Sequence, residues 1–129
     1  MKALNPDSIH PPFARYSHGI AAQTNSLVAT SGQLGIRADG TVPVTAREQA
    51  DVCFENVDAI LSAAGLDRGH IIRLNAYVTD RDHMTGYMAA RDAYLATCAV
   101  KPASTLMIVS GFTRPEFLVE IEALAAKED

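Results

Sequence analysis

The chain has 129 residues, of which 48% are hydrophobic and 20% charged, and its formal net charge is −4. This size and composition predict one globular domain spanning residues 1–129 around a single core. The acidic balance argues against nucleic acid as the main partner, and no apolar run is long enough to cross a bilayer. Because the N-terminus also lacks a hydrophobic signal segment, we expect a cytoplasmic protein.

The first third of the chain predicts an irregular lead-in followed by two strands. Three prolines fall within residues 1–14, and short β-rich runs cover residues 15–22 and 26–33. The polar residues between these runs predict an antiparallel hairpin. The second run ends on Ser31 and Gly32, small residues that suit a backbone approached closely by another group.

Two helices with a strand between them come next. Thr45–Glu48 has the form of a capping box, so a helix should begin near Ala46 and end at Gly65. Residues 71–79 then alternate as a strand. A second helix is predicted from about residue 82 to residue 97, and its stripe of Met and Tyr side chains, Met88 among them, is more typical of a core than of a ligand site.

The C-terminal quarter predicts two more strands, residues 104–110 and 117–125, joined by a short turn-rich loop. Alternation assigns the side chains to two faces. A core face should hold Thr105, Met107, Val109, Val119, Ile121 and Ala123. The opposite face should hold Ser104, Leu106, Ile108, Leu118, Glu120 and Glu122.

The element order ββαβαββ predicts an α+β fold, a two-layer mixed β-sheet with two helices on one face. Its other face would carry aliphatic side chains together with Arg73, Asn75, Tyr77, Glu120 and Glu122. Such a face is too apolar to stay in water and too polar to be core. We therefore expect oligomerisation, sheet against sheet, with polar clefts between subunits.

Cysteine and histidine spacing gives no sign of a metal site. Cys53 and Cys98 fall in different predicted helices without a CxxC spacing, and the four histidines are scattered. We expect buried, reduced thiols and no metal.

A series of short segments between residues 14 and 125 follows the order of a known family: RYSH from Arg15, TSGQLG from Thr30, EQA from Glu48, FENV from Phe54, AAGL from Ala63, RLNAYVTD from Arg73, KPA from Lys101 and VEIEALA from Val119. On these segments the chain resembles the RidA/YjgF family of reactive intermediate (enamine/imine) deaminases, which older names call endoribonucleases.

The resemblance implies a chorismate-mutase-like fold assembled as a homotrimer, with sites in clefts between subunits. It implies hydrolysis of a small-molecule imine or enamine to a carbonyl compound and ammonia, without a cofactor. Its catalytic residues fall on Tyr16, Ser31 and Glu120, with Glu120 positioning the water. Glu122 on the same strand face would raise the pKa of Glu120 and suit it to acid/base work.

The chain departs from the family where substrate would be held. Active members have a Pro-Ala-Arg-Ser segment whose arginine grips a substrate carboxylate, and Ser104 replaces that arginine. Met88 and Leu106 replace an asparagine and a cysteine. Together with Arg73, these residues are the expected substrate contacts. The pocket should be less cationic, so the substrate should lack an essential carboxylate.

The sequence leaves two alternatives, one about the source of positive charge in the cleft and one about whether the protein catalyses a reaction. Arg73, Arg15 or Arg91 could supply the missing positive charge, and Arg73 is favoured because it shares the predicted cleft face. The alternative to a deaminase is a trimer that binds a small metabolite in the same cleft and catalyses nothing.

Overall fold

The computed structural model describes residues 1–128. In chain order its strands and α-helices are β1 (Lys2–Leu4), β2 (Gly19–Ala21), β3 (Ser26–Ala29), β4 (Gln33–Leu34), α1 (Ala46–Ala63), β5 (Ile71–Val78), α2 (Met84–Tyr94), β6 (Ala103–Ile108) and β7 (Val119–Lys127). Neither of the two α-helices described has the length and apolar character that a membrane crossing requires.

The main sheet has five strands in the order β3-β7-β5-β6, and β4 pairs with the same edge of β7 as β3 does. β7 is antiparallel to its neighbours, whereas β5 and β6 are parallel. Residues from α1, α2, β5 and β7 form one buried cluster between the helices and the sheet. This confirms the predicted α+β arrangement with helices on one face.

Helix α1 begins and ends where its sequence predicts. The Thr45 hydroxyl accepts a hydrogen bond from the Glu48 amide at 3.2 Å, which satisfies one free donor at the helix start. After the last turn, Gly65 adopts a φ of 74°, a conformation that glycine reaches without steric cost. Helix α2 is shorter than the predicted 82–97 at both ends, because it begins at Met84 and ends at Tyr94.

The predicted N-terminal hairpin is wrong. β2 pairs with β1, which lies inside the supposedly irregular lead-in, and β3 and β4 both pair with β7. The polar residues between β2 and β3 are therefore a crossing between two sheets. Strand β7 has nine residues and offers a long edge for pairing. The hydrogen bonds that β3 and β4 form with β7 therefore prevail over the turn that the polar residues between β2 and β3 predicted.

The alternation of β7 and β5 is confirmed, but the face assignment of β6 is reversed. Val119, Ile121 and Ala123 are buried beneath the helices, and Glu120 and Glu122 lie on the open face. β6 is not next to β7. It runs parallel to β5 with Leu74 beside Ser104 and Ala76 beside Leu106.

Ladder partners share a face of the sheet. Because Leu74 and Ala76 are buried in the core, Ser104 and Leu106 lie on the helix side. Thr105 and Met107, which the alternation assigned to the core, lie on the open face. Because a long loop separates β6 from β7, the alternation of one strand does not determine which residues of the other face the helices.

Candidate functional site

Two carboxylates stand on the open face of the sheet, opposite polar residues of the neighbouring strand. Glu120 and Glu122 lie two residues apart on β7, and the antiparallel ladder places Tyr77 beside Glu120 and Asn75 beside Glu122. Alternating residues of a strand point to the same face. All four side chains therefore share one surface.

Glu122 is held in place by donors from β5. The Tyr77 hydroxyl donates to its Oε1 at 2.8 Å and the Asn75 amide nitrogen donates to the same atom at 3.2 Å. The hydrogen bond to Glu122 is the main cause that raises the pKa of Tyr77. Tyr77 therefore stays a donor at neutral pH.

Arg73 extends this polar row to the edge strand. Its Nε donates to Asn75 Oδ1 at 3.0 Å, and its Nη2 donates to Thr105 Oγ1 at 2.7 Å. The guanidinium thus lies between β5 and β6, and it is Thr105 rather than Ser104 that it contacts. A side chain predicted to be core therefore belongs to the polar row.

Glu120 has different surroundings from Glu122. Within residues 1–128 its carboxylate has no hydrogen-bond partner, and burial, followed by the charge of Glu122, raises its pKa. Gly32 lies against it: a Cβ at that position would be 1.8 Å from Glu120 Oε1. The expected close approach to Gly32 is confirmed, and the approaching group is the Glu120 carboxylate.

A shallow depression of about 250 Å³ opens beside these groups. Aromatic rings, carboxylates and the start of the β6–β7 loop form its lining, which consists of Tyr77, Val109, Gly111, Phe112, Glu120 and Glu122. Phe112 is a lining residue that sequence reasoning did not identify. Its position depends on the path of the loop, for which the sequence offers only turn signals.

Tyr16 and Ser31 lie at opposite margins of the sheet. Ser31 is exposed and adjoins Gly32, which contacts Glu120. The Tyr16 hydroxyl accepts a hydrogen bond from the Phe13 amide at 3.3 Å, and the next residue, Ser17, bridges to Ala103 at the start of β6. Within the described chain, one subunit places Ser31 near Glu120 and leaves Tyr16 at the edge strand.

Ser104, Leu106 and Met88 form a separate group on the helix side of β6. Leu106 and Met88 pack partly buried against the core. Ser104 and Arg91 are polar groups beside Tyr87, whose hydroxyl is buried without a well-formed hydrogen bond among residues 1–128. In one subunit these side chains and Glu120 face opposite sides of the sheet.

Residues 8–127 match the protein-family model described as Endoribonuclease L-PSP. A RutC family protein from Aquifex aeolicus is 32% identical over 128 residues, covering 98% of this chain and 100% of that protein. The 2-iminobutanoate/2-iminopropanoate deaminase of Escherichia coli K12 is 31% identical over 128 residues and covers 98% of both chains.

The fold is also similar to solved structures. The crystal structure of the Rid-family protein YyfB from Yersinia pestis superposes with a TM-score of 0.88 over 98% of both chains, at 24% identity. At that identity the likeness establishes the fold. The matches at the sequence level cover nearly the whole chain.

Proposed function

The chain belongs to the RidA/YjgF family, and from this premise we propose that it hydrolyses a reactive imine or enamine that lacks an essential carboxylate, with a water positioned by Glu120. The observation that carries the proposal is the state of Glu120. Its carboxylate has no hydrogen-bond partner in the described chain, lines a depression, and has a raised pKa. These are the properties of a group free to exchange a proton with a bound water.

The chemistry needs little beyond a placed water and a proton carrier. Glu120 takes a proton from water as the oxygen bonds to the electrophilic imine carbon, and it gives that proton to the imine nitrogen, which yields a carbinolamine. Glu120 then takes the hydroxyl proton of the carbinolamine and gives it to the nitrogen as the C–N bond breaks, so the carbonyl forms and ammonia leaves. Both protons of the water end on ammonia, Glu120 returns to its starting state, and no electrons are transferred.

The proposed substrate class follows from the loss of the family arginine that binds a substrate carboxylate, which Ser104 replaces in this chain. Ser104 cannot replace an arginine fork, and Arg73, which donates to Asn75 and Thr105, does not line the depression beside Glu120. Loss of one charge-assisted contact weakens binding of a carboxylate by about 10- to 100-fold. A carboxylate-free imine loses nothing by this change.

We further propose a cytoplasmic homotrimer built on the open face, with the site completed between subunits. Exposed apolar side chains on this face, Leu27 at 63% and Met107 at 54%, support burial against another copy. Glu120 and Ser31 would come from one subunit. Tyr16, Ser104, Leu106 and Met88, at the β6 edge, would come from its neighbour.

A trapping assay tests the hydrolase proposal. A flavin amine oxidase acting on an α-branched primary amine produces a ketimine, which semicarbazide traps faster than it traps the ketone. We expect the protein to suppress semicarbazone formation, Glu120→Gln to abolish the suppression, and Glu55→Gln on the exposed side of α1 to retain it. Suppression should be weaker with 2-iminopropanoate. Binding of amines without any suppression would replace the hydrolase by the non-catalytic metabolite-binding trimer.

Sedimentation tests the assembly. A mass three times that of the chain is expected in dilute solution. A stable, fully dispersed monomer would remove the basis for a site between subunits.

A further inference from the structure

We infer that Glu122 is the specificity-determining residue of this site and that it selects a substrate whose nitrogen is a positively charged iminium. The inference rests on the proposed function and deepens it by assigning the charge of the substrate. It also assigns different roles to Glu120 and Glu122, although both are glutamates on the same strand.

The lining of the depression is suited to a cation. Two carboxylates and two aromatic rings, those of Tyr77 and Phe112, contribute to its lining, and within the described residues no Lys or Arg does. Carboxylates attract cations directly, and the faces of aromatic rings attract them through the ring quadrupole. Both kinds of group favour a cationic ligand over an anionic one.

Among residues 1–128, no arginine forms an ion pair with Glu122. Arg73 donates to Asn75 and Thr105. Arg114 forms an ion pair with Glu116 at 3.0 Å and lies 4.5 Å from the centre of the Phe117 ring. Arg91 is buried on the helix side, where its guanidinium lies 5.7 Å from the ring of Tyr87. Arg73 has only neutral partners, and none of the three forms an ion pair with Glu122.

The hydrogen bonds of Glu122 fix its carboxylate and leave acceptor positions free. Tyr77 and Asn75 both donate to Oε1, which fixes the carboxylate and leaves Oε2 without a hydrogen-bond partner in residues 1–128. A carboxylate accepts at about four lone-pair positions, so an N–H donor still finds free acceptors. Glu122 is thus a preorganised acceptor for a cationic N–H group.

Selection by charge also serves the chemistry. An iminium carbon is more electrophilic than the carbon of a neutral imine, so a site that prefers the cation binds the form that water attacks more readily. Glu122 holds the N–H group while Glu120, on the same strand, handles the proton of the water. A charge-assisted contact of this kind is worth about 10- to 100-fold in affinity.

Equilibrium binding of three probes with the same branched carbon frame tests this: isobutylammonium, isobutyramide and isobutyrate, with charges +1, 0 and −1. Calorimetry at neutral pH should show isobutylammonium binding most tightly and isobutyrate least. Glu122→Gln keeps an acceptor for Tyr77 and Asn75 but removes the charge. It should weaken isobutylammonium by about 10- to 100-fold and leave isobutyramide unchanged.

Glu122→Asp retains the charge and should retain the order of the three probes, and Glu55→Gln should behave as wild type. Equal affinities for the three probes, or tightest binding of isobutyrate, would overturn the inference. Unchanged binding of isobutylammonium by a folded Glu122→Gln variant would do so as well. The binding measurement does not depend on turnover. A protein that binds isobutylammonium most tightly but hydrolyses no imine would therefore contradict the proposed function and leave the role of Glu122 in binding intact.

Discussion

Tyr77 is the ladder partner of Glu120, yet its hydroxyl donates to Glu122, two residues further along the same strand, at 2.8 Å. This diagonal contact gives two neighbouring carboxylates different environments. Glu122 is bound by two donors, and Glu120 is left with a raised pKa beside Gly32. Neighbouring carboxyl groups that differ in their hydrogen bonding, as these two do, are suited to different chemical roles.

The raised pKa of Glu120 predicts a pH-dependent gain in stability when its charge is removed. The groups facing it are Glu122 on β7, Tyr77 on β5 and, through the sheet, Cys53 on α1. A carboxyl whose folded pKa exceeds its unfolded value of 4.5 favours folding when protonated and opposes it when charged.

Glu120→Gln should therefore be more stable than wild type at about pH 8. The gain should shrink as the pH falls through the folded pKa and vanish below the unfolded one. Urea unfolding at fixed protein concentration, at about pH 4 and about pH 8, measures it. A larger gain in the free energy of unfolding at about pH 4 than at about pH 8 would contradict a raised pKa of Glu120 as the cause.

Gly32→Ala should remove activity while the protein still folds. The added Cβ would be 1.8 Å from Glu120 Oε1 and 2.9 Å from its Cγ, so the whole flexible side chain must rotate away. The carboxylate would then leave the place where it holds water. Gly19→Ala is the matched control, because its Cβ would meet Leu4 at an ordinary 3.5 Å. Full ketimine hydrolysis by a folded Gly32→Ala variant would refute this reading.

Gln49 should be a main anchor of the segment that leads into β7. Its Nε2 donates to the carbonyls of Pro43 and Glu116 at 2.9 and 2.8 Å, and its Oε1 accepts from the Leu118 amide at 2.8 Å. Gln49→Leu keeps the shape but leaves these backbone groups unpaired, at a cost of about 3 kcal/mol.

Chemical denaturation measures this loss, and the exposed Gln23→Leu should change the free energy of unfolding by less than about 0.5 kcal/mol. Equal effects of the two substitutions would show that Gln49 does not anchor the segment.

The thiols should be unreactive in the folded protein. Burial raises the pKa of Cys53 to about 12 and also raises the pKa of Cys98. Little thiolate is then present at about pH 8, and reaction with a disulfide reagent should wait for unfolding. A Cys98→Ser variant isolates Cys53, and its rapid labelling in native buffer would contradict the burial described.

The elements that sequence predicted correctly are those whose signals are local. The cap at Thr45, the turn at Gly65 and the alternation of β7 depend on neighbours along the chain, and each is confirmed. The face of Ser104 depends instead on β5, with which β6 pairs in parallel. No alternation within β6 can say which of its two faces meets the helices.

The site divides in the same way. Glu120, Glu122 and the alternating residues of β5 share the face that their spacing predicts. Thr105 and Phe112 were missed, because the first depends on the ladder partner of β6 and the second on the path of a loop. Tyr16 owes its predicted role to family resemblance, and in one subunit it lies at the β6 edge.

The most direct test of the central claim is the rate of ammonia release from a carboxylate-free ketimine by wild-type protein and by Glu120→Gln at equal concentration. Removal of a general acid/base should lower this rate by at least about 100-fold while the sedimentation coefficient stays unchanged. Release by Glu120→Gln at the wild-type rate, or no release above the uncatalysed rate by the wild type, would contradict the account.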